Sequence, residues 1–299
     1  MNILINPTAP FDFSKILQRM ETSWNNGTYV IDKNMVSLHR TLLVNGRTLS
    51  VKISSIGTVE KPKLVVEVPA SLDELDRNCL TVAIKNIYSV DTDLRAIYNH
   101  LSSIPQLQTV IEQLYGLRLV IEPDLFQTIV KLIISQQLNI SFASVLLNRF
   151  TSLTGELIDV EGNKIRIFPT PEGTASLAYD NLRALSFSQR KAEYVIDFAR
   201  RAAEGKIDLE SLKGKSDEEV KELLMSIRGI GAWTVQCIMI FGLGRLNVLP
   251  AADIGLRNAV KKAWNLNNQP TEAEVLKLGA EWSPWSTYAS LYLWEFLSL

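Results

Sequence analysis

The region from 223 to 243 constrains the fold of this chain more than any other part of the sequence. It contains Gly229-Ile230-Gly231, which lies between two stretches whose apolar residues have helical spacing. Two glycines this close together predict a tight turn, because a residue without a Cβ adopts backbone conformations that other residues avoid. The sequence therefore predicts a helix-hairpin-helix unit, and the backbone N–H groups of its turn could approach a phosphate.

An acidic residue, Asp253, follows twenty-two residues after Gly231. An aspartate in front of a helical pattern is usually an N-cap, since its carboxylate accepts hydrogen bonds from the first backbone N–H groups. The connection from the hairpin to Asp253 is short enough to fold back, so the acid could also lie beside the hairpin. As an N-cap it would stay charged there, because a helix N-terminus helps to keep a carboxylate ionised.

The length and charge of the chain set the next limits. The chain has 299 residues, of which 46% are apolar, which is enough for two or three packed units. The formal net charge is −1, so affinity for nucleic acid would have to come from a local basic face. Candidates for this face, which also fit an ordinary solvated surface, are Arg183, Arg190, Lys191, Arg228, Arg245, Arg257, Lys261 and Lys262.

The rare residue types exclude several kinds of site. Cys79 and Cys237 are the two cysteines, too few for a four-thiolate iron–sulfur cluster, and we expect them to be buried, reduced thiols. His39 and His100 have no metal-ligand or triad partner at suitable spacing, so we expect no zinc site. We also expect no cofactor, no required metal, no signal peptide and no membrane span, and a monomeric cytoplasmic protein.

The apolar pattern changes along the chain and predicts an α+β fold. Residues 1–70 read as strands, including a hairpin at Asn45-Gly46, and helical spacing begins at Ser71. We predict a small α/β domain over 1–115 with antiparallel strands and packing helices. A two-part, all-helical body over 116–299 follows.

Two details of this division concern helices. The segment near 92–115 has helical spacing and could pack with the body rather than with the sheet. The final helix, Ser286 to Leu297, is apolar on nearly all sides. We therefore expect this helix to be buried, with Trp294 in the core.

Further motifs after residue 115 resemble those of a known family. They are Ile133-Ile134-Ser135-Gln136-Gln137-Leu138-Asn139, Phe168-Pro169-Thr170-Pro171, Leu185-Ser186-Phe187-Ser188-Gln189-Arg190-Lys191-Ala192 and Trp282-Ser283-Pro284-Trp285-Ser286-Thr287-Tyr288-Ala289. With the hairpin and Asp253, they resemble the AlkA-type 3-methyladenine DNA glycosylases II of the helix-hairpin-helix DNA glycosylase superfamily. The resemblance is weaker over the first hundred residues.

The resemblance implies a base-excision repair enzyme that binds double-stranded DNA containing damaged bases and flips a nucleotide out of the stack. It would hydrolyse the N-glycosidic bond of alkylated purines such as 3-methyladenine and 7-methylguanine. Asp253 would stabilise the positive charge on the sugar and orient the attacking water. Two alternatives remain open: a glycosylase for deaminated bases such as hypoxanthine, and a DNA-damage-binding protein without turnover.

The same resemblance assigns roles to aromatic residues. Trp233, Trp285 and Tyr288, with Trp282 nearby, would line the base pocket, where electron-rich rings attract a cationic purine. Trp233 also stands where strand-cleaving glycosylases carry a lysine that forms a Schiff base with the sugar. We therefore expect a monofunctional hydrolase.

The resemblance further implies how the DNA is held. Gln137 would be the wedge that fills the space of the extruded nucleotide, although Gln136 and Gln137 could instead brace neighbouring backbone. The residues expected to contact DNA are Arg228, Gly229, Ile230, Gly231, Ala232, Thr234 and Arg257. The carbonyls implied as ligands of a monovalent cation are those of Met225, Ile227 and Gly229.

The segment from Phe11 to Met20 departs from the family pattern. It should contribute to the pocket wall, yet Lys15, Gln18 and Arg19 are more polar than the resemblance implies. These residues could move the preference away from cationic bases, or they could face solvent.

Overall fold

The computed structural model describes residues 1–22, 27–69, 71–160 and 162–299, and its first part contains a five-stranded antiparallel sheet. Its strands are β1 (Asn2–Ile5), β2 (Tyr29–Asp32), β3 (Ser37–Val44), β4 (Arg47–Ser55) and β5 (Leu64–Glu67), in the order β1-β5-β4-β3-β2. Asn45 and Gly46 join β3 to β4 with positive φ angles of 48° and 74°, as a type I′ turn requires. The predicted β-rich start with its hairpin is confirmed.

Helices accompany the sheet and continue to the end of the chain. They are α1 (Phe13–Thr22), α2 (Glu74–Ile87), α3 (Leu94–Leu101), α4 (Pro105–Gln113), α5 (Leu125–Ser135), α6 (Ile140–Thr154), α7 (Pro171–Ala175), α8 (Tyr179–Ala184), α9 (Gln189–Ala203), α10 (Asp217–Met225), α11 (Ala232–Phe241), α12 (Ile254–Ala263), α13 (Glu272–Gly279) and α14 (Ser286–Ser298). Within the described residues, no helix has the length and hydropathy needed to cross a membrane.

The packing of the helices follows their apolar residues. Every side chain of α5 is buried, and this helix packs against α6, α9 and α11. The helix α2 lies on the sheet, while α4 packs against α12 and α14. The segment near 92–115 thus contacts the later helices, and the domain boundary near 115 stays a prediction.

The predicted α+β fold, with a small β-rich start and a mostly helical body, is confirmed, but one element of the body is not helical. Two short strands, β6 (Leu157–Val160) and β7 (Asn163–Arg166), form a hairpin, and β7 packs against β2 and β3 of the first sheet. The backbone N–H of Arg166 donates to the carbonyl of Gly27 at 2.8 Å, which extends this contact. These strands were missed because four-residue segments carry little periodic signal.

A buried arginine, Arg118, joins the N-terminal segment to the helices. Its guanidinium donates to the carbonyls of Ser89 and Thr92 at 2.6 Å each, to that of Pro10 at 3.0 Å, and to that of Thr8. Burial lowers the pKa of this group from its ordinary value. One side chain therefore bonds carbonyls of two loops, the first between β1 and α1 and the second between α2 and α3.

Replacing this side chain should destabilise the protein. Arg118→Met removes the guanidinium donor from four carbonyl groups, of which that of Ser89 keeps a backbone donor, and we expect a loss of about 3 kcal/mol in the free energy of unfolding. Urea denaturation measures this loss. The control Arg183→Met changes an exposed arginine that pairs with Asp180, and should shift stability by less than about 0.5 kcal/mol. Equal effects of the two substitutions would contradict this account of Arg118.

Candidate active site and hairpin

A cavity of about 1390 Å³ is lined by side chains from both parts of the chain. Its walls come from α1, the turn between α5 and α6, the hairpin with α11, the start of α12 and the end of α14. Ligand pockets usually enclose about 300–1,000 Å³. The cavity is therefore large enough for a group the size of a nucleotide.

Asp253 lies on this cavity, and both of its carboxylate oxygens accept hydrogen bonds. Oδ1 accepts from the backbone N–H of Leu256 at 2.7 Å and from Nε1 of Trp294 at 2.8 Å. Oδ2 accepts from Nε1 of Trp233 at 2.9 Å. Asp253 is thus the N-cap of α12 and also faces the cavity, so the helix start and two indoles fix the carboxylate.

The two indoles belong to separate helices. Trp233 is the second residue of α11, directly after the hairpin, and it lines the cavity as expected. Trp294 was expected in the core, and this expectation is wrong, because its ring also lines the cavity and lies 5.9 Å from that of Phe241. An indole N–H in an apolar helix needs an acceptor, so the sequence could have indicated that Trp294 lies beside a polar group.

Three other aromatic residues do not occupy the predicted pocket. Trp282 and Tyr288 are completely buried, and their rings pack against Trp264 and Tyr292, respectively. Trp285 is partly buried at the N-cap of α14. Their assignment to the pocket wall is wrong because the first two turns of α14 lie inside the core, and the helix reaches the cavity near its end.

The two hairpin glycines serve different purposes. Gly229 has φ of 92°, and a Cβ there would lie 2.4 Å from the ring of Tyr194. Gly231 is exposed, and a Cβ there would meet no atom within 4 Å. Gly231 is also the N-cap of α11, whose first N–H groups have no partner inside the helix. The fold requires the first glycine, whereas the second leaves the helix start open to a partner.

The end of α5 is tied to the hairpin by a glutamine. Nε2 of Gln136 donates to the carbonyl of Gly229 at 2.8 Å and to Oγ1 of Thr234 at 3.0 Å. Gln136 therefore braces the neighbouring backbone, which was the alternative to a wedge role for the two glutamines. The side chain of Thr234 is buried and bonded to Gln136, so it is not the DNA contact that was expected. Ile230 is also 95% buried and holds the turn on the core, so its side chain is not the DNA contact that was expected.

The neighbouring glutamine has a different environment. Gln137 is exposed at the cavity, with a left-handed φ of 57°. The turn that carries it is held by Lys191, whose ammonium donates to the carbonyls of Ile134 at 2.7 Å and Gln136 at 2.6 Å. Burial lowers the pKa of Lys191 to about 8. Gln137 is thus presented to the outside by a turn that hydrogen bonds hold, and its role as a wedge stays a prediction.

Basic side chains near the hairpin mostly donate to the protein itself. Arg228 is exposed, donates to Glu193 at 2.7 Å and lies 5.3 Å from the ring centroid of Tyr194. Its hydrogen bond to Glu193 raises the pKa of Arg228. Nε of Arg257 donates to the carbonyl of Pro270 at 2.6 Å. With Lys191 turned inward, the predicted basic face offers fewer cations than the sequence suggested.

Two of the three carbonyl groups predicted as ligands of a cation accept hydrogen bonds from the protein itself. The carbonyl of Ile227 accepts from the N–H of Ile230 at 3.1 Å, and that of Gly229 accepts from Gln136. Met225 ends α10 and is exposed. The cation stays a prediction.

The polar residues of α1 divide into three environments. Lys15 donates to the carbonyl of Tyr115 at 2.9 Å, and Gln18 faces solvent. Arg19 lines the cavity, pairs with Glu295 and lies over Phe241. Of these three residues, Arg19 therefore brings a charged group to the wall of the cavity.

Cys237 also borders the cavity, next to the site. It is buried, and its burial together with the charge of Asp253 raises the pKa of its thiol well above the ordinary value. It is therefore a neutral thiol and a poor nucleophile. Cys79 and Cys237 are both unpaired, and Cys237 is buried as expected, whereas Cys79 is partly exposed. The described part of the chain contains no cluster of three histidine, cysteine or acidic side chains for a metal.

Comparison with known proteins shows the family of this chain. The family model of the HhH-GPD superfamily base excision DNA repair proteins matches residues 130–284. The chain belongs to this superfamily. It is 37% identical to "Putative DNA-3-methyladenine glycosylase YfjP" of Bacillus subtilis, over 97% of each chain. It is 28% identical to a DNA-3-methyladenine glycosylase of the same organism, over 99% of this chain and 98% of the relative.

Solved structures of this superfamily share the fold. A 3-methyladenine DNA-glycosylase from Archaeoglobus fulgidus has a TM-score of 0.88 at 22% identity, covering 99% of this chain and 98% of its own. The Schizosaccharomyces pombe enzyme Mag1, in complex with abasic DNA, has a TM-score of 0.60 at 32% identity. That match covers 68% of this chain and 97% of Mag1.

Proposed function

We propose that this member of the superfamily is a DNA glycosylase that hydrolyses the N-glycosidic bond of alkylated purines. The observation that carries the proposal is the carboxylate of Asp253, which two indole N–H groups fix on a large cavity beside the hairpin. Relatives named DNA-3-methyladenine glycosylase support 3-methyladenine as a substrate, and 7-methylguanine carries the same kind of lesion.

Asp253 acts on the sugar of the extruded nucleotide. Departure of the base takes the electron pair of the C1′–N bond and leaves positive charge on the sugar, which a nearby carboxylate stabilises. Oδ1 accepts two hydrogen bonds and Oδ2 accepts one, so Oδ2 keeps a lone pair that can hold water. This water adds to C1′ and passes a proton to the carboxylate.

The DNA backbone meets the hairpin. The open N-terminus of α11 at Gly231 and Ala232 offers backbone N–H groups to a phosphate, and Gln137 enters the duplex from the adjacent turn. The complex of Mag1 with abasic DNA supports a double-stranded DNA partner. The protein acts as a monomer in this proposal, with water as the nucleophile.

Asp253→Asn tests the proposed chemistry. Asparagine caps helices about as well as aspartate, so α12 keeps its start while the charge is lost. We expect release of methylated bases to fall about 10²–10³-fold, with DNA binding retained. Base release is measured by chromatography. The control Asp93→Asn makes the same change at the N-cap of α3 and should have no effect. Near-normal activity of Asp253→Asn would reduce Asp253 to a helix cap.

Gly231→Val tests the hairpin. The new side chain has room in the fold, but it would stand between the start of α11 and a phosphate. We expect affinity for damaged and undamaged duplexes to fall alike, by about tenfold. Gly214→Val, at another glycine with open space, is the matched control. A loss confined to damaged DNA would instead place this turn in the base pocket.

Borohydride tests the monofunctional mechanism. Because tryptophan stands at position 233, no Schiff base should form, and borohydride should trap no covalent protein–DNA adduct. The product should be an intact strand with an abasic site, cleaved only after alkali. A trapped adduct during turnover would move this chain to the strand-cleaving branch of the superfamily.

A further inference from the structure

Gln137 has a backbone conformation that its side chain makes costly. Its φ of 57° lies in the left-handed region, which glycine adopts readily and a residue with a Cβ does not. It is the second residue after α5, the position where a helix commonly ends with a left-handed glycine. Strain of this kind persists where the surrounding structure enforces it, and it is concentrated at functional sites. The chain therefore keeps a side chain where glycine would give the more stable turn.

Lys191, on α9, enforces this turn. Its ammonium donates to the carbonyls of Ile133 at 3.2 Å, Ile134 at 2.7 Å and Gln136 at 2.6 Å, so its three donors meet three acceptors. The last carbonyls of a helix have no donor within the helix and carry partial negative charge, which favours a cation beside them. A single cation therefore closes the end of α5 and holds the residue directly before Gln137.

The turn is held on its other sides as well. Nε2 of Gln136 donates to the carbonyl of Gly229 in the hairpin at 2.8 Å. The side chain of Asn139 accepts from the backbone N–H of Phe142 at 2.8 Å and caps the start of α6. Gln137 lies between these two contacts and is exposed at the cavity. The backbone on both sides of an exposed side chain is thus fixed.

We propose that Lys191 is a positioning residue for base extraction, which offsets the strain at Gln137 so that a side chain stands at the edge of the cavity. This inference rests on the proposed function. A glycine in this turn would have the favoured backbone but nothing to place in the space of the extruded nucleotide. Lys191 acts through the turn and not on the DNA, because its three donors are already used.

The test follows insertion and base release separately, at about pH 7, where Lys191 is charged because its pKa is about 8. Insertion is followed with a duplex that carries 2-aminopurine beside a tetrahydrofuran analogue of an abasic site, since the fluorescence of 2-aminopurine rises when the base loses its stacking. Base release is measured under single-turnover conditions on duplex DNA methylated with dimethyl sulfate. We expect Lys191→Met to reduce the fluorescence rise at saturating protein by about half or more, and base release by about tenfold or more.

Arg118→Met is the matched control. It also removes a buried cation that donates to backbone carbonyls, but Arg118 is not part of the cavity wall. This variant should leave both readouts unchanged at a temperature where circular dichroism shows every variant folded. Lys191→Arg keeps a charged donor at the end of α5 and should recover part of the fluorescence rise.

Gln137→Gly tests the strain directly. Because glycine adopts the left-handed conformation readily, we expect the urea midpoint to rise while the fluorescence rise is lost. Lys191→Met should lower the urea midpoint less in the Gln137→Gly background than in the wild type, since less strain then has to be held.

Normal fluorescence and base release in Lys191→Met, or an equal loss in Arg118→Met, would overturn the positioning role. So would an unchanged or lowered urea midpoint in Gln137→Gly, an undiminished fluorescence rise in that variant, or a wild-type protein that gives no rise. A wild-type protein that raises the fluorescence but releases no methylated base would instead overturn the proposed function, and the fluorescence of the variants would still decide the role of Lys191.

Discussion

The hydrogen bonds from two indoles to one carboxylate determine how the rest of the site is assembled. Trp233 reaches Asp253 from the helix that follows the hairpin, and Trp294 reaches it from the last helix of the chain. Asp253 itself begins α12. Three helices, two of them consecutive in the chain, therefore meet at one acidic group. The hairpin is then held at a fixed position relative to the carboxylate, and the proposed catalysis depends on such positioning.

A second set of hydrogen bonds connects the turn that carries Gln137 to the same unit. Gln136 donates to the hairpin at Gly229, while Lys191 donates to the carbonyls at the end of α5. Gln137 directly follows these anchored residues and is exposed with a left-handed backbone. The proposed wedge role requires a backbone that does not yield when the side chain enters stacked bases. The hydrogen bonds before Gln137 would supply that resistance.

The sequence predicted features whose signals are local. The turn at Asn45-Gly46, the hairpin glycines and the N-cap at Asp253 all depend on a few adjacent residues, and the structure contains each of them. The base pocket was predicted poorly because α14 is apolar on all sides, so periodicity cannot tell which face of the helix meets the cavity. Tyr288 was consequently predicted in the pocket and Trp294 in the core, whereas Tyr288 is buried and Trp294 lines the cavity. The place of Arg19 depends on α1 meeting α14 across almost the whole chain, and no local pattern encodes such a contact.

The small net charge of the chain limits the ways in which it could attract DNA. A net charge of −1 gives little long-range attraction to DNA, and Lys191 and Arg257 donate to carbonyls of the protein itself. In the proposed function, phosphate recognition would therefore fall largely to backbone N–H groups, which need close approach. Close approach is possible where no side chain intervenes, and Gly231 provides such a place at the start of α11. The proposal thus assigns the need for glycine at position 231 to the ligand, whereas at Gly229 the ring of Tyr194 leaves no room for a Cβ.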